Sequence, residues 1–225
     1  MISLSDSNLS LLQDAEGNHC SSFPTVLLQV MWRAARLASV SQSDRDLGSL
    51  EEQILLLLHE AELFDARSWA TSLQPRSPLS DLSHRTNVAS AHCIAVRIYL
   101  SRLLLPLGPN ARLSDNLESL VLEAIHHMAD IRPCDSLFTA TTWPTFITGA
   151  ETNDLRNRAW ITQRFMELWE VEPWGTVSGA LDVLRGIWMK KDGVMVGEQS
   201  MRPEGSHDGN WIASLRQTGV DWLII

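Results

Sequence analysis

The segment DLRNRAWITQRFMELWE (residues 154–170) decides the fold of this chain, because its apolar residues recur at helical spacing. The large apolar side chains that share one side of this segment are Leu155, Ile161, Phe165, Leu168 and Trp169. A second segment starts near Thr176, and its helically spaced apolar residues are Val177, Leu181, Leu184 and Trp188. Two consecutive amphipathic helices are therefore predicted. The second one ends with Lys190 and Lys191, whose charges suit the dipole at a helix C-terminus.

The same periodicity predicts four helices upstream of this pair. Three of them cover about residues 24–40, 49–63 and 87–105, and a fourth starts at Ser114 and ends at Pro133. Ser49 and Glu52 form a capping-box pattern at the start of the second helix.

The segment between these helices and residue 154 predicts a short helix near residues 136–142, continuing with a kink through Pro144 to Gly149. The kink is expected because proline lacks an amide donor and clashes with the preceding turn. No segment keeps the strict alternation of a strand. The predicted fold class is all-α, an irregular multi-helix bundle of about seven to eight helices.

The domain prediction is one helical domain over residues 24–225, preceded by a poorly ordered segment at residues 1–23. Prolines and serines predict a loop at about residues 72–86, and scattered glycines predict another at 192–210. The apolar terminus at residues 221–225 is expected to dock into the core. The nine tryptophans are expected to fill that core, because an indole buries a large apolar area.

Composition excludes several classes of function. The formal net charge is −9 and there is no basic cluster, which disfavours direct binding of nucleic acid by this chain. The three cysteines, Cys20, Cys93 and Cys134, contain no close pair, which excludes a CxxC zinc motif and is typical of a reduced intracellular protein. We find no signal-peptide pattern and no apolar run long enough to cross a bilayer, so we expect a soluble protein.

Residues that could carry chemistry form no convincing set. Glu123, His127 and Asp130 share a helix face beside His126, but their spacing departs from the HExxH metal motif. We therefore interpret them as a polar face with a half-buried histidine. Cys93 lies in mid-helix near the apolar face, where a buried and unreactive thiol is usual. The nucleophile-elbow pattern Gly-x-Ser-x-Gly is absent from the sequence, so we predict no catalytic, metal or cofactor-binding residues.

Several motifs in order resemble one known family. TWPTFITGAE (residues 142–151) is similar to the central signature of the fungal-specific transcription factor domain, and RAWI (158–161) to its arginine-containing helix. IWMKKD (187–192) resembles the following helix, AHCIAVRIYL (91–100) an upstream one, and Asp221-Trp222 the terminal pair. The structural signature residues that this resemblance implies are Trp143, Pro144, Gly149, Arg158, Trp160, Trp188 and Trp222. Pro144 and Gly149 would set a bend and close packing between helices, with Trp143, Trp160 and Trp188 in the core.

The resemblance implies a non-enzymatic regulatory or effector-responsive domain of a nuclear fungal transcriptional regulator. It also implies protein partners, including homo- or heterodimers with related factors, and leaves room for a small-molecule effector between helices. Family members usually carry a zinc cluster built from six cysteines, whereas this chain has three cysteines in all. We therefore expect no zinc cofactor and no DNA-reading module in this chain. Two alternatives are a stand-alone interaction scaffold that dimerises with a related transcription factor, and an enzyme with a pocket of Trp and His residues.

Overall fold

The structure is a computed structural model that describes residues 15–16, 23–39, 47–73, 82–105, 117–193, 210–212 and 215. Within these residues the chain forms eight α-helices, one 3-10 turn and no strand, so the predicted all-α class is confirmed. The helices are α1 (Thr25–Ser39), α2 (Leu47–Glu62), α3 (Ala66–Leu73), α4 (Leu82–Leu104), α5 (Leu117–Ala129), α6 (Thr142–Glu151), α7 (Leu155–Val171) and α8 (Gly175–Lys191). The 3-10 turn, Phe138–Thr141, leads directly into α6.

Helix α4 is the centre of the bundle. Its buried residues lie on every side of the helix, a pattern that is typical of a helix enclosed by others. It contacts α1, α2, α3, α5 and α6. Helix α6 is the second hub, because it packs against α4 and α5 on one side and against α7 and α8 on the other. The two hubs therefore join the N-terminal and C-terminal helices into one core.

The predicted loop at residues 72–86 is wrong at both ends. Helix α3, which the periodicity did not predict, extends to Leu73, and α4 begins at Leu82. The side chain of Asp65 starts α3 by accepting hydrogen bonds from the amides of Arg67 and Ser68, both at 3.0 Å. The first turn of α4 looks polar in sequence, yet Arg85 is buried there. Burial of a charged residue by other helices hides the helical period. Residues 74–81 lie outside the described part.

Two predicted helix starts also need correction. Helix α2 begins at Leu47, so Ser49 is not its N-cap; the hydroxyl and carbonyl of Ser49 accept bonds from Gln53 Nε2, each at 3.1 Å. Pro144 is the third residue of α6, so it lies in a first helical turn, where amides have no intrahelical acceptor to lose. The turn before it is 3-10 and begins at Phe138 rather than near residue 136. Helix α5 ends at Ala129, before Pro133, and Ser114 lies outside the described residues.

The prediction that tryptophans fill the core is mostly wrong. Among those described, only Trp188 and Trp211 are buried, and Trp169 and Trp174 are 43% and 62% exposed. The signature indoles Trp143 and Trp160 are half-buried at the edge of the core. The largest fully buried rings are instead Tyr99, Phe138, Phe146 and Phe165. An indole at the rim keeps its N–H within reach of water or a partner.

The segments predicted to be loops or poorly ordered are described only in part. Of residues 1–22 the structure describes only 15–16, where Glu16 is buried and accepts hydrogen bonds from the Thr25 amide and from Trp69 Nε1. Phe23 packs against the core. Residues 192–193 form a turn, with Gly193 at φ 69°, and 194–209 lie outside the described part. The tail at 221–225, including Trp222, also lies outside it. Among the described helices, none is long and apolar enough to span a membrane.

Candidate functional site

The signature residues meet at the C-terminal end of α6, where Gly149 lies against α7 and α8. A Cβ atom on Gly149 would lie 2.8 Å from Ile161 Cγ2 and 2.9 Å from Leu184 Cδ1, so this position has no room for a side chain. Trp188 Nε1 donates to the carbonyl of Gly149 at 2.8 Å. The absence of a side chain at Gly149 thus allows α6, α7 and α8 to approach closely, as the resemblance implied, and the hydrogen bond from Trp188 holds α8 against α6.

A buried ion pair follows immediately in the chain. Glu151, the last residue of α6, accepts two bonds from Arg102 of α4, at 2.6 Å from Nε and 2.5 Å from Nη2. Trp211 Nε1 donates to the same carboxylate at 3.2 Å, and the Trp211 ring packs edge-on against Phe146. The bidentate geometry is the strong form of an arginine–carboxylate pair. One carboxylate therefore joins α4, α6 and the segment that carries Trp211.

Lys191 completes this group at the C-terminus of α8. Its Nζ donates to the main-chain carbonyl of Glu151 at 2.7 Å, which satisfies an acceptor that helix α6 leaves unpaired at its end. Burial lowers the pKa of Lys191 from 10.5 to about 8, and the neighbouring carboxylate of Glu151 opposes that shift. We call Arg102, Glu151, Lys191 and Trp211 the Glu151 junction.

The signature arginine Arg158 ties α7 to the end of α8. Its buried Nη1 lies 2.9 and 2.7 Å from the two carboxylate oxygens of Asp192, which is the half-exposed residue that follows α8. The guanidinium also lies over the ring of Trp188, with 5.6 Å between Cζ and the ring centroid. Arg158, Trp188 and Asp192 therefore continue the Glu151 junction along the α7–α8 contact.

Arg164 is a buried arginine that the sequence did not single out. Its guanidinium donates to the carbonyls of Ile131 at 2.7 Å and Met128 at 2.9 Å, and so caps the C-terminus of α5. It lies 4.1 Å from the ring centroid of Phe138 and 5.6 Å from that of Trp160. Burial lowers its pKa to about 10. Trp160 therefore belongs to this second contact, away from the Glu151 junction.

The histidines and cysteines are placed as structural groups. His92 is buried between Phe23 and Trp143, and burial lowers its pKa to about 3, so it stays neutral at neutral pH. His127 is half-buried, and its Nδ1 lies 3.0 Å from Asn87 Oδ1. This is the position expected for a histidine on a polar helix face. Burial raises the pKa of the Cys93 thiol to about 11, and its Sγ faces the Ala61 carbonyl at 3.2 Å. In the described ranges no three His, Cys, Asp or Glu residues form a candidate metal site.

Two surface grooves lie outside the Glu151 junction. One of about 320 Å³ runs between α1 and α2 and is lined by Trp32, Arg33, Arg36, Leu37, Gln53, Leu56 and Leu57. The other, of about 250 Å³, opens beside the Arg164 cap, with Arg132, Pro133, Trp160 and Glu167 along it. Both are open to solvent on one side, and each combines an indole with arginine.

The structure thus brings together three of the predicted signature residues, Gly149, Arg158 and Trp188. Trp143 lies against His92, Pro144 is buried in the first turn of α6, and Trp160 lies at the Arg164 cap. Sequence reasoning missed Arg102, Arg164 and Trp211 as partners. A charged or indole residue inside an apolar helical stripe could have pointed to them. Periodicity alone does not identify such a residue, because it records only which positions are apolar.

Comparison with known proteins identifies the family. The family model described as "Fungal specific transcription factor domain" matches residues 6–225. Acriflavine sensitivity control protein acr-2 of Neurospora crassa is 32% identical over 226 residues, covering 96% of this chain and 36% of that relative, so the chain spans about a third of its length. No solved structure matches the chain. The match over nearly the whole chain, with the signature glycine, arginine and tryptophan packed together, shows that this protein belongs to the fungal-specific transcription factor domain family.

Proposed function

We propose that this chain is the regulatory, effector-responsive part of a fungal transcriptional regulator, and that it works in the nucleus without catalysing a reaction. The observation that carries the proposal is the family match over residues 6–225. The packing of the signature residues around Gly149 and Glu151 supports it, because the motif residues fix helix positions rather than present reactive groups.

Reading of DNA falls, in this proposal, to another segment of the regulator or to a partner. The net charge of −9 supports this division of labour, because phosphate backbones repel an acidic surface. The zinc cluster of the family needs six cysteines, and this chain has three, of which Cys93 is largely buried on α4. We therefore assign no zinc or other cofactor to this chain.

Regulation requires a site that senses a signal, and the groove beside the Arg164 cap is our candidate for a small-molecule effector. It lies on α7 between the α5 C-terminus and Trp160, so a ligand there would contact two helices at once. Arg132 and Glu167 both line it, so a ligand there would meet one charged group of each sign.

A tethering assay tests the regulatory role. The chain is fused to an unrelated DNA-binding domain in a fungal host, and reporter mRNA is measured against that domain alone and against a fusion of an inert helical protein. We expect the fusion to raise or lower reporter mRNA by severalfold. If the fusion occupies the promoter in the nucleus and reporter mRNA equals both controls, the proposal is wrong.

The alternative function is a scaffold that dimerises with a longer relative. Exposed apolar side chains on α7, among them Leu155 and Met166, favour a protein partner of some kind. A pull-down of zinc-cluster proteins from the same cell by the tagged chain tests this alternative. Recovery of none of them, together with a normal tethering result, leaves only the regulatory role.

A further inference from the structure

Helix α7 carries a line of apolar side chains that solvent reaches. Leu155, Met166 and Trp169 are 73%, 52% and 43% exposed. Ala159 is also exposed and Thr162 is half-buried, and the five positions are separated alternately by four and three residues. Residues at this spacing lie in one row along a helix. We call Leu155, Ala159, Thr162, Met166 and Trp169 the α7 stripe.

The stripe is separate from the core-facing side of α7. That side consists of Arg158, Ile161, Arg164, Phe165 and Leu168, all buried. One flank of the stripe borders α8, because Arg158 contacts Asp192 and Trp188 there. Alternation of four and three residues is the pattern by which two helices pack along a shared seam. The stripe therefore has the form of a helix-pairing surface on the outside of the bundle.

The other flank of the stripe carries an ordered set of polar residues. Arg156, Gln163 and Glu170 are all exposed and lie seven residues apart, which places them in one row. The row is positive at the N-terminal end of α7 and negative at the C-terminal end. At 1.5 Å per residue the two charges are about 21 Å apart, with Gln163 at the midpoint.

This arrangement is complementary to itself under a two-fold rotation. If a second α7 crosses antiparallel at Gln163, Arg156 of each copy lies beside Glu170 of the other. The two Gln163 amides meet, and each Nε2, which now donates to Glu167 Oε1 at 3.1 Å, would donate to the amide oxygen of the other copy instead. The small Ala159 then faces the half of the stripe that contains the large Met166 and Trp169.

We propose that a second copy of this chain binds along the α7 stripe, forming a symmetric dimer through antiparallel α7 helices. An isologous contact of this kind closes on itself and does not polymerise. The inference deepens the proposed function by naming one of its protein partners. Gln163 also lines the groove beside the Arg164 cap, so the dimer would partly cover that groove. The tethering assay does not require the dimer, so a failed dimer test leaves the tethering result unaffected.

The first test measures the dissociation constant of the purified chain by sedimentation equilibrium. Met166→Lys places a charge in the seam and is expected to weaken dimerisation by at least about tenfold, because two symmetry-related sites are affected at once. The matched control is Leu122→Lys on α5, where an apolar side chain of similar exposure (54%) lies off the stripe. The control is expected to leave the constant unchanged.

The second test is a charge exchange. Arg156→Glu and Glu170→Arg each create two like-charge contacts and are expected to weaken the dimer on the order of tenfold. The double variant restores opposite charges and should return the constant to the wild-type range. Circular dichroism checks that every variant remains helical.

Four results would overturn the proposal. The first is a wild-type chain that stays monomeric throughout the concentration series. The second is a dimer that Met166→Lys and Leu122→Lys affect equally, and the third is a double variant that dimerises no better than the single ones. Association only with a longer relative, without self-association, also overturns the assignment of a second copy.

Discussion

Removal of the Glu151 carboxylate should destabilise the protein far more than loss of an exposed ion pair of the same type. The side chains of Arg102 and Glu151 are only 14% and 5% exposed. Glu151→Ala leaves the guanidinium of Arg102 buried without its carboxylate and takes the acceptor from Trp211 Nε1. Breaking a buried pair in this way costs about 3–5 kcal/mol of unfolding free energy. For a chain of this size that corresponds to a fall in Tm of about 6–20 °C.

The assay is urea denaturation followed by circular dichroism, with a matched control on the surface. Arg33 and Glu60 are joined at 2.6 Å, but their side chains are 49% and 37% exposed. Glu60→Ala should therefore cost only about 0–1 kcal/mol. The double variant Arg102→Met/Glu151→Met should recover part of the loss, because no guanidinium remains buried without its carboxylate, while Lys191 still donates to the main-chain carbonyl of residue 151. The reasoning is refuted if Glu151→Ala costs no more than Glu60→Ala.

Three further predictions use the same core. Gly149→Ala should lower the free energy of unfolding by about 1–3 kcal/mol, because its Cβ would overlap Ile161 and Leu184. Gly186→Ala is the control: a Cβ there would have nothing within 4 Å, so the change should be neutral or stabilising. Equal free energies of unfolding for the two variants in urea denaturation would contradict this prediction. Because the pKa of Lys191 falls from 10.5 to about 8 on folding, the unfolded chain binds more protons between those values, so this residue makes stability rise with pH there. In Lys191→Met, the rise in the free energy of unfolding over this pH range should be smaller than in the wild type by roughly 1–3 kcal/mol. Identical pH profiles of stability for the two proteins would exclude the effect. Iodoacetamide should label exposed Cys134 well before Cys93, whose pKa is raised to about 11, and equal labelling by peptide mass mapping would show that Cys93 is not protected.

The sequence predicted helices where one stripe of a helix is apolar. It therefore found α7 and α8 to within one residue at each end, and the Asp154 side chain caps α7 as the local pattern requires. It failed where burial comes from several helices at once. In α4 the buried positions include Arg85 and His92, so the apolar period fades and the start of the helix was missed. Local residue order contains no information about which distant element covers a side chain.

The candidate site was predictable only in part for the same reason. Gly149, Arg158 and Trp188 were found because they resemble the family signature, and the close packing at Gly149 agrees with that expectation. The partners of Glu151 lie 49 residues before it, at Arg102, and 60 residues after it, at Trp211. No spacing rule connects residues so far apart in the chain. The indoles were misplaced because their volume suggested burial, while their N–H groups favour the rim of the core.

The most direct test of the account measures reporter mRNA from the tethered chain in three forms: wild type, Glu151→Ala, and Arg102→Met/Glu151→Met. The account predicts that the wild type changes reporter mRNA relative to the DNA-binding domain alone. Glu151→Ala should lose that change above its lowered Tm, and the double variant should regain it, because regulation depends on the helices that Glu151 holds together. A wild-type fusion that occupies the promoter and leaves reporter mRNA unchanged would contradict the account.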